Sequence, residues 1–198
     1  MKKIILFDID HTLINTSQLR ENLTGILIKL IHVNKNDYMR VTFIYTNSLK
    51  SSTDFRPENY CRILSKHFGC NYKKLLGVFY ISEKIYRNAL YPDTVTALEK
   101  LKVKYILGIY SEGYKRFQLT KLKLSGIMPY FDKRYIFIGR RKLSKKFLGL
   151  IPANSIIIDN NKKVINILTK NNIKNIWVNR NESIKQDNIL SVLDQNSL

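Results

Sequence analysis

The chain has 198 residues, 44% of them hydrophobic, enough for one sizeable core with room for a small second domain. Its 34 basic and 15 acidic side chains leave a formal charge of +19, which makes nucleic acid the first partner to consider. No apolar run nears the roughly 18 residues of a membrane span, and Cys61 and Cys70, with no companion pair, do not make a zinc ribbon and read as reduced thiols.

Residues 3–7 form an apolar run that stops abruptly at Asp8-Ile9-Asp10-His11-Thr12-Leu13. The run is too short for a signal peptide and lacks a small-residue cleavage site, so a cytoplasmic protein without membrane contact is expected. Two carboxylates at the end of a buried strand cost stability unless a cation offsets them. Ligands of open α/β sheets bind at the carboxyl ends of the strands. The pair therefore marks a metal-binding, anion-handling site.

From residue 15 to 89 the period is helical. Leu19, Leu23, Ile26, Leu27, Leu30 and Ile31 make one stripe; Tyr60, Ile63 and Leu64 a second; Leu76, Phe79 and Tyr80 a third. Residues 41–45 are too short a run to decide between strand and helix. This segment holds 12 basic and 5 acidic residues, so the positive charge is spread along the chain. A solvated basic surface that steers anionic substrates is the favoured reading, and a nucleic-acid partner the lesser one.

Tyr91-Pro92-Asp93 punctuates the return to a β/α rhythm. Runs at 105–110, 135–138, 155–158 and 175–178 are strand candidates, rich in Ile, Val or Tyr. Val95, Leu98 and Leu101 mark one intervening helix, and Val164, Ile167 and Leu168 another. From about Gln186 the chain reads as a fraying tail with one weak helical turn. The alternation predicts an α/β fold, a Rossmann-like three-layer core around a parallel sheet, with a small, mainly helical cap inserted after the first strand. The core is expected over 1–14 and 90–198, the cap over 15–89.

Two further strands end in polar residues: Ser111 follows 105–110, and Asp159 follows 155–158. Carboxylates at one sheet edge suit a hard dication such as Mg²⁺, and a hydroxyl there can donate to a phosphate oxygen. With its order and spacing, this set resembles the haloacid dehalogenase-like hydrolases, most of which are phosphatases. The first motif, Asp8-Ile9-Asp10-His11-Thr12-Leu13, is strong. Gly108-Ile109-Tyr110-Ser111, Lys142 and Ile156-Ile157-Ile158-Asp159-Asn160 follow in the order of the remaining three.

The resemblance implies Asp8 as nucleophile and metal ligand. Asp10 would be the acid/base, its carbonyl also on Mg²⁺. Ser111 and Thr12 would stand at the phosphate, Thr12 also holding its loop. Lys142, ahead of Lys145 and Lys146, would offset charge, and Asp159 with Asn160 would complete the metal site. The implied activity is Mg²⁺-dependent phosphomonoester hydrolysis of a small anionic metabolite, a nucleotide or sugar phosphate. Two departures from the pattern, Glu112 after Ser111 and Asn160 and Lys163 where a second acid is usual, leave a weakly active or inactive binding protein as the alternative. A phosphomutase or a nucleic-acid end phosphatase stands behind these.

Overall fold

A computed structural model describes residues 2–180 and 187–195. Five strands, β1 (Ile4–Phe7), β2 (Ile106–Glu112), β3 (Ile136–Gly139), β4 (Ser155–Asp159) and β5 (Asn175–Trp177), form one sheet in the order β3-β2-β1-β4-β5. Every pairing is parallel. The run at 3–7 and the four later strand candidates each fall on one of these strands, because strands covered on both faces need near-continuous hydrophobicity.

Period two divides the side chains between the two faces. Ile5, Phe7, Ile109, Ile156 and Ile158 join the larger core with helices α6 (Thr94–Lys104), α7 (Lys115–Leu124) and α10 (Ile189–Gln195). Ile4, Leu6, Tyr110 and Ile157 face the other way, onto α8 (Lys145–Leu148) and α9 (Lys162–Lys170). The helices on both faces give the three layers expected.

Between β1 and α6 lie five α-helices: α1 (Thr16–Ile31), α2 (Lys35–Asn47), α3 (Pro57–Phe68), α4 (Tyr72–Ile81) and α5 (Glu83–Arg87). Asn15, Asn34 and Asn71 each accept an amide hydrogen bond from the first turn of the helix that follows, so asparagine starts three of them. The undecided run 41–45 is helical, in α2. Tyr38, Val41 and Tyr45 bury one face of that helix at helical spacing, a stripe longer than the run itself. Ile26 and Ile63 lie outside their expected stripes, at 39% and 37% exposure.

The tail is more ordered than the one weak helical turn expected. Residues 189–195 form α10, with Ile189 and Leu193 buried in the core. Its first turn is anchored where Ile189 N donates to Asp93 Oδ2 at 2.8 Å. Residue 186, where fraying was expected to start, lies outside the described residues. Among the described residues no helix is long and apolar enough to cross a membrane.

Candidate active site

Strand β1 is central, with β2 on one side and β4 on the other. The direction of winding reverses here, and such a switch point opens a crevice at the strands' carboxyl ends. Asp8 N donates to Ile158 O at 2.9 Å, extending the β1–β4 pairing to the first carboxylate. The chain then folds tightly: the amides of Thr12, Leu13 and Ile14 all point to Ile9 O, with His11 in the left-handed region at φ 57°. A non-glycine residue is uncommon there, and the turn sets off Asp10 from Asp8.

Three buried charges meet below this turn. Lys142 Nζ lies 2.8 Å from Asp8 Oδ1 and 2.6 Å from Asp159 Oδ2. Their residues are 4%, 5% and 0% exposed, in the order Lys142, Asp8, Asp159, so water contributes little screening. Burial pushes the Asp8 carboxyl up to about 7, with Asp159 and Asp10 adding to the rise against the pull of Lys142. Burial alone would lower Lys142; the two carboxylates outweigh it and hold the ammonium well above its ordinary range. The Tyr110 hydroxyl donates to the Lys142 carbonyl and fixes its backbone. Lys145 and Lys146 are exposed on α8, so among these three lysines it is Lys142 that reaches the carboxylates.

The other sequence-selected residues are placed as follows. Ser111 is fully buried, and its Oγ has no hydrogen-bond partner. Buried hydroxyls are ordinarily bonded, and this one stands one strand from Asp8. Thr12 is also fully buried; its Oγ1 accepts from Asn160 N at 3.2 Å and lies 3.5 Å from Asn160 Oδ1. The structure thus gives Thr12 and Asn160 to a tie between the β1 and β4 loops. Asp159 Oδ1 accepts from Asn161 N at 2.8 Å. Lys163 is exposed on the first turn of α9, away from these groups. Glu112 lies 3.9 Å from Arg141.

Asp10 is held apart from Asp8 by residues that the sequence reading missed. Lys121 Nζ contacts Asp10 Oδ1 at 2.5 Å, Thr16 Oγ1 reaches the same oxygen at 2.7 Å, and Gln118 Nε2 donates to Oδ2 at 2.7 Å. Gln118 also donates to Glu112 O at 2.6 Å. Gly113, at φ +136°, makes room: a Cβ there would fall 2.9 Å from Gln118 Nε2. The available signal was on α7, where Gln118 and Lys121 share a buried face with Leu122. Polar residues in an amphipathic helix's inward stripe call for a partner.

Burial would raise the Asp10 carboxyl, but Lys121, Gln118 and Thr16 outweigh it and bring it from 3.8 to about 2. A carboxyl lowered on folding contributes stability above its unfolded pKa, lost as pH falls through the folded value. The window is about pH 4 down to 2, and the contribution is on the order of 2 kcal/mol. In Mg²⁺-free urea unfolding, the wild type is expected to lose that much more stability than Asp10→Asn between pH 5 and 2. Equal acid slopes would contradict the clamp.

Among the described residues no three His, Cys, Asp or Glu side chains cluster as metal ligands. The donor chemistry nevertheless fits Mg²⁺. Asp8 and Asp159 are two hard oxygen ligands sharing one ammonium, and Mg²⁺ is commonly held by one or two carboxylates together with substrate phosphate and water.

Residues 5–142 match the family model described as haloacid dehalogenase-like hydrolase. Among solved structures, the chain is similar to the HAD-hydrolase YfnB of Bacillus subtilis bound to magnesium, at 16% identity and a TM-score of 0.67, covering 100% of this chain and 99% of that one. It is also similar to a haloacid dehalogenase-like hydrolase from Burkholderia xenovorans LB400, at 16% identity and a TM-score of 0.68, covering 88% and 82%. The defluorinating L-2-haloacid dehalogenase Rha0230 gives 15% and 0.58, covering 89% and 80%. At such identities the likeness shows the fold. No curated protein matches the chain in sequence.

Proposed function

The chain belongs to the haloacid dehalogenase-like hydrolases, and from that premise we propose that it is a Mg²⁺-dependent phosphomonoesterase. The observation that carries this reading is the buried set Asp8, Lys142 and Asp159 beside a Ser111 hydroxyl with no partner. The two-domain division goes with it: residues 1–14 and 90–198 are the catalytic core, and 15–89 the cap that meets the substrate.

An Asp8 carboxylate oxygen attacks phosphorus in line, and the bond to the ester oxygen breaks. Asp10 protonates that leaving oxygen, which requires it to take up a proton as its contact with Lys121 gives way, since the clamped carboxyl is lowered to about 2. It then takes a proton from the water that cleaves the aspartyl-phosphate, returning Asp8 and releasing phosphate. Lys142 holds Asp8 in place and offsets the charge on the phosphoryl oxygens, and Ser111 donates to one of them. Thr12 keeps the loop between the two acids closed on the β4 end. Asp8, Asp159, the Asp10 carbonyl and Asn160 would hold Mg²⁺, which supplies charge neutralisation at the phosphoryl group. The substrate is a small phosphorylated metabolite, a nucleotide or sugar phosphate, in the cytoplasm.

Dehalogenase chemistry in this family runs without the second aspartate of the first motif, so Asp10 argues for the phosphatase. The exposed Lys163 and the Asn160–Thr12 tie favour one second reading, a binding protein of little activity on the same fold. A panel of phosphomonoesters, including a chromogenic aryl phosphate, decides between them. Turnover that appears with Mg²⁺ and disappears with chelator is expected; no turnover across the panel would leave the binding protein.

A further inference from the structure

The turn between Asp8 and Asp10 is also held by a buried charge that the catalytic set does not use. Arg180 lies just beyond β5 and is buried. Each of its guanidinium nitrogens has a different partner. Nε donates to Thr12 O at 3.3 Å, and Nη1 donates to Asp187 O at 2.7 Å. Nη2 lies 3.0 Å from Asp93 Oδ1 and 3.1 Å from Asp93 Oδ2. The group also stacks on Tyr91, with Cζ 4.3 Å from the ring centroid. A planar fork with donors in fixed directions suits such a junction, and a point-charge ammonium does not reproduce it.

The partners of Arg180 hold the same turn and the C-terminal segment. Tyr91 N donates to Leu13 O at 3.2 Å, and Thr94 Oγ1 donates to the same carbonyl at 2.9 Å. Asp187 N donates to Asn179 O at 2.9 Å, and Asp187 Oδ2 accepts from Asn179 N at 2.7 Å. Asp93 Oδ2 also accepts from Ile189 N, the anchor of α10. The segment Tyr91-Pro92-Asp93, which the sequence marks only as punctuation, is therefore a seat for the turn. Thr12 and Leu13, whose carbonyls are tied there, directly follow His11 in its left-handed conformation. A non-glycine residue stays in that region only where its surroundings over-determine it.

We infer that Arg180 is a positioning residue for the reaction. It holds the Thr12 carbonyl, and through it the turn that sets Asp10 off from Asp8, and it makes the C-terminal segment part of the reaction centre. A salt bridge to Asp93 alone would serve to weld that segment to the core; the bond to Thr12 O is the one that reaches the turn. The inference rests on the phosphatase reading of the two aspartates. A misplacement of about 1 Å at reacting groups can cost about a hundredfold in rate, so the effect belongs to kcat.

Removing Arg180 alone would strand the buried Asp93 charge, so the main variant is the double Asp93→Asn/Arg180→Gln, which leaves neither charge. With para-nitrophenyl phosphate and Mg²⁺, its kcat is expected to fall at least about thirtyfold with KM within about threefold. Arg180→Lys, which keeps a charge for Asp93 without the fork, should fall between the double variant and the wild type. Leu168→Ala opens a cavity at the far end of α9 from Asn160; it should lose thermal stability and keep kcat. A double variant with wild-type kcat, or an equal kcat loss in Leu168→Ala, would overturn the inference. Hydrogen exchange separates it from the phosphatase reading. The amides of residues 12–14 should exchange at least about tenfold faster in the double variant, with those of β4 as slow as in the wild type. If the wild type turns over no phosphoester, that result keeps Arg180 as the holder of the turn and removes only the enzyme. Unchanged exchange removes the tie.

Discussion

Replacing Asp8 with asparagine is expected to lower phosphomonoester turnover by about three orders of magnitude or more. An amide oxygen of the same shape is a far poorer nucleophile, and Asp8 is the carboxylate that lies at the switch point beside Ser111. The variant should fold. Asp8 is pushed up to about 7 chiefly by burial, so its charge opposes folding at pH 8, and a neutral side chain removes that opposition. Stability in Mg²⁺-free buffer is therefore expected not to fall. Steady-state kinetics and thermal unfolding of the same preparation check both halves. A variant keeping more than about a tenth of the activity would remove Asp8 from the chemistry.

Lys142→Met should act on both activity and stability. One ammonium balances two buried carboxylates, and breaking a buried ion set by removing one partner typically costs 3–5 kcal/mol. A loss of about 3 kcal/mol at pH 8 is expected, with turnover down by about a hundredfold or more. The pH dependence gives the sign. A carboxyl raised on folding destabilises as pH climbs from its unfolded to its folded value, here from 3.8 towards about 7 for Asp8 even with Lys142 present. Without Lys142 the rise is larger. The variant should then recover stability on going from pH 8 to 5, relative to the wild type. Denaturant unfolding at both pH values reads this directly, and an equal deficit at both would show that Lys142 acts through packing alone.

The strands were legible because each must be apolar on both faces, and the two aspartates stood out because they interrupt such a run. The choice of Lys142 over Lys145 and Lys146 was legible only by order along the chain; in the structure its buried ammonium bonds Asp8 and Asp159, on a backbone fixed by the Tyr110 hydroxyl. The clamp on Asp10 was not legible as a contact. Gln118 and Lys121 are 108 and 111 residues from Asp10, and a local pattern shows only that two polar residues stand on a buried stripe. α10 was legible only as one weak helical turn, because seven residues make too short a period and its anchor, Asp93, comes from another part of the chain.

The central place of β1 has a consequence for how the protein is made. The ribosome releases β1 first, yet its two neighbours come at residues 106–112 and 155–159. A nascent chain therefore carries Ile4–Phe7 with both edges bare for about a hundred residues, and with one edge bare until β4 emerges. Unpaired apolar edges are the points at which chains associate wrongly. The charges at 8, 142 and 159 come together only once β4 has been made, so the strand that covers the second edge of β1 also brings the last of the three.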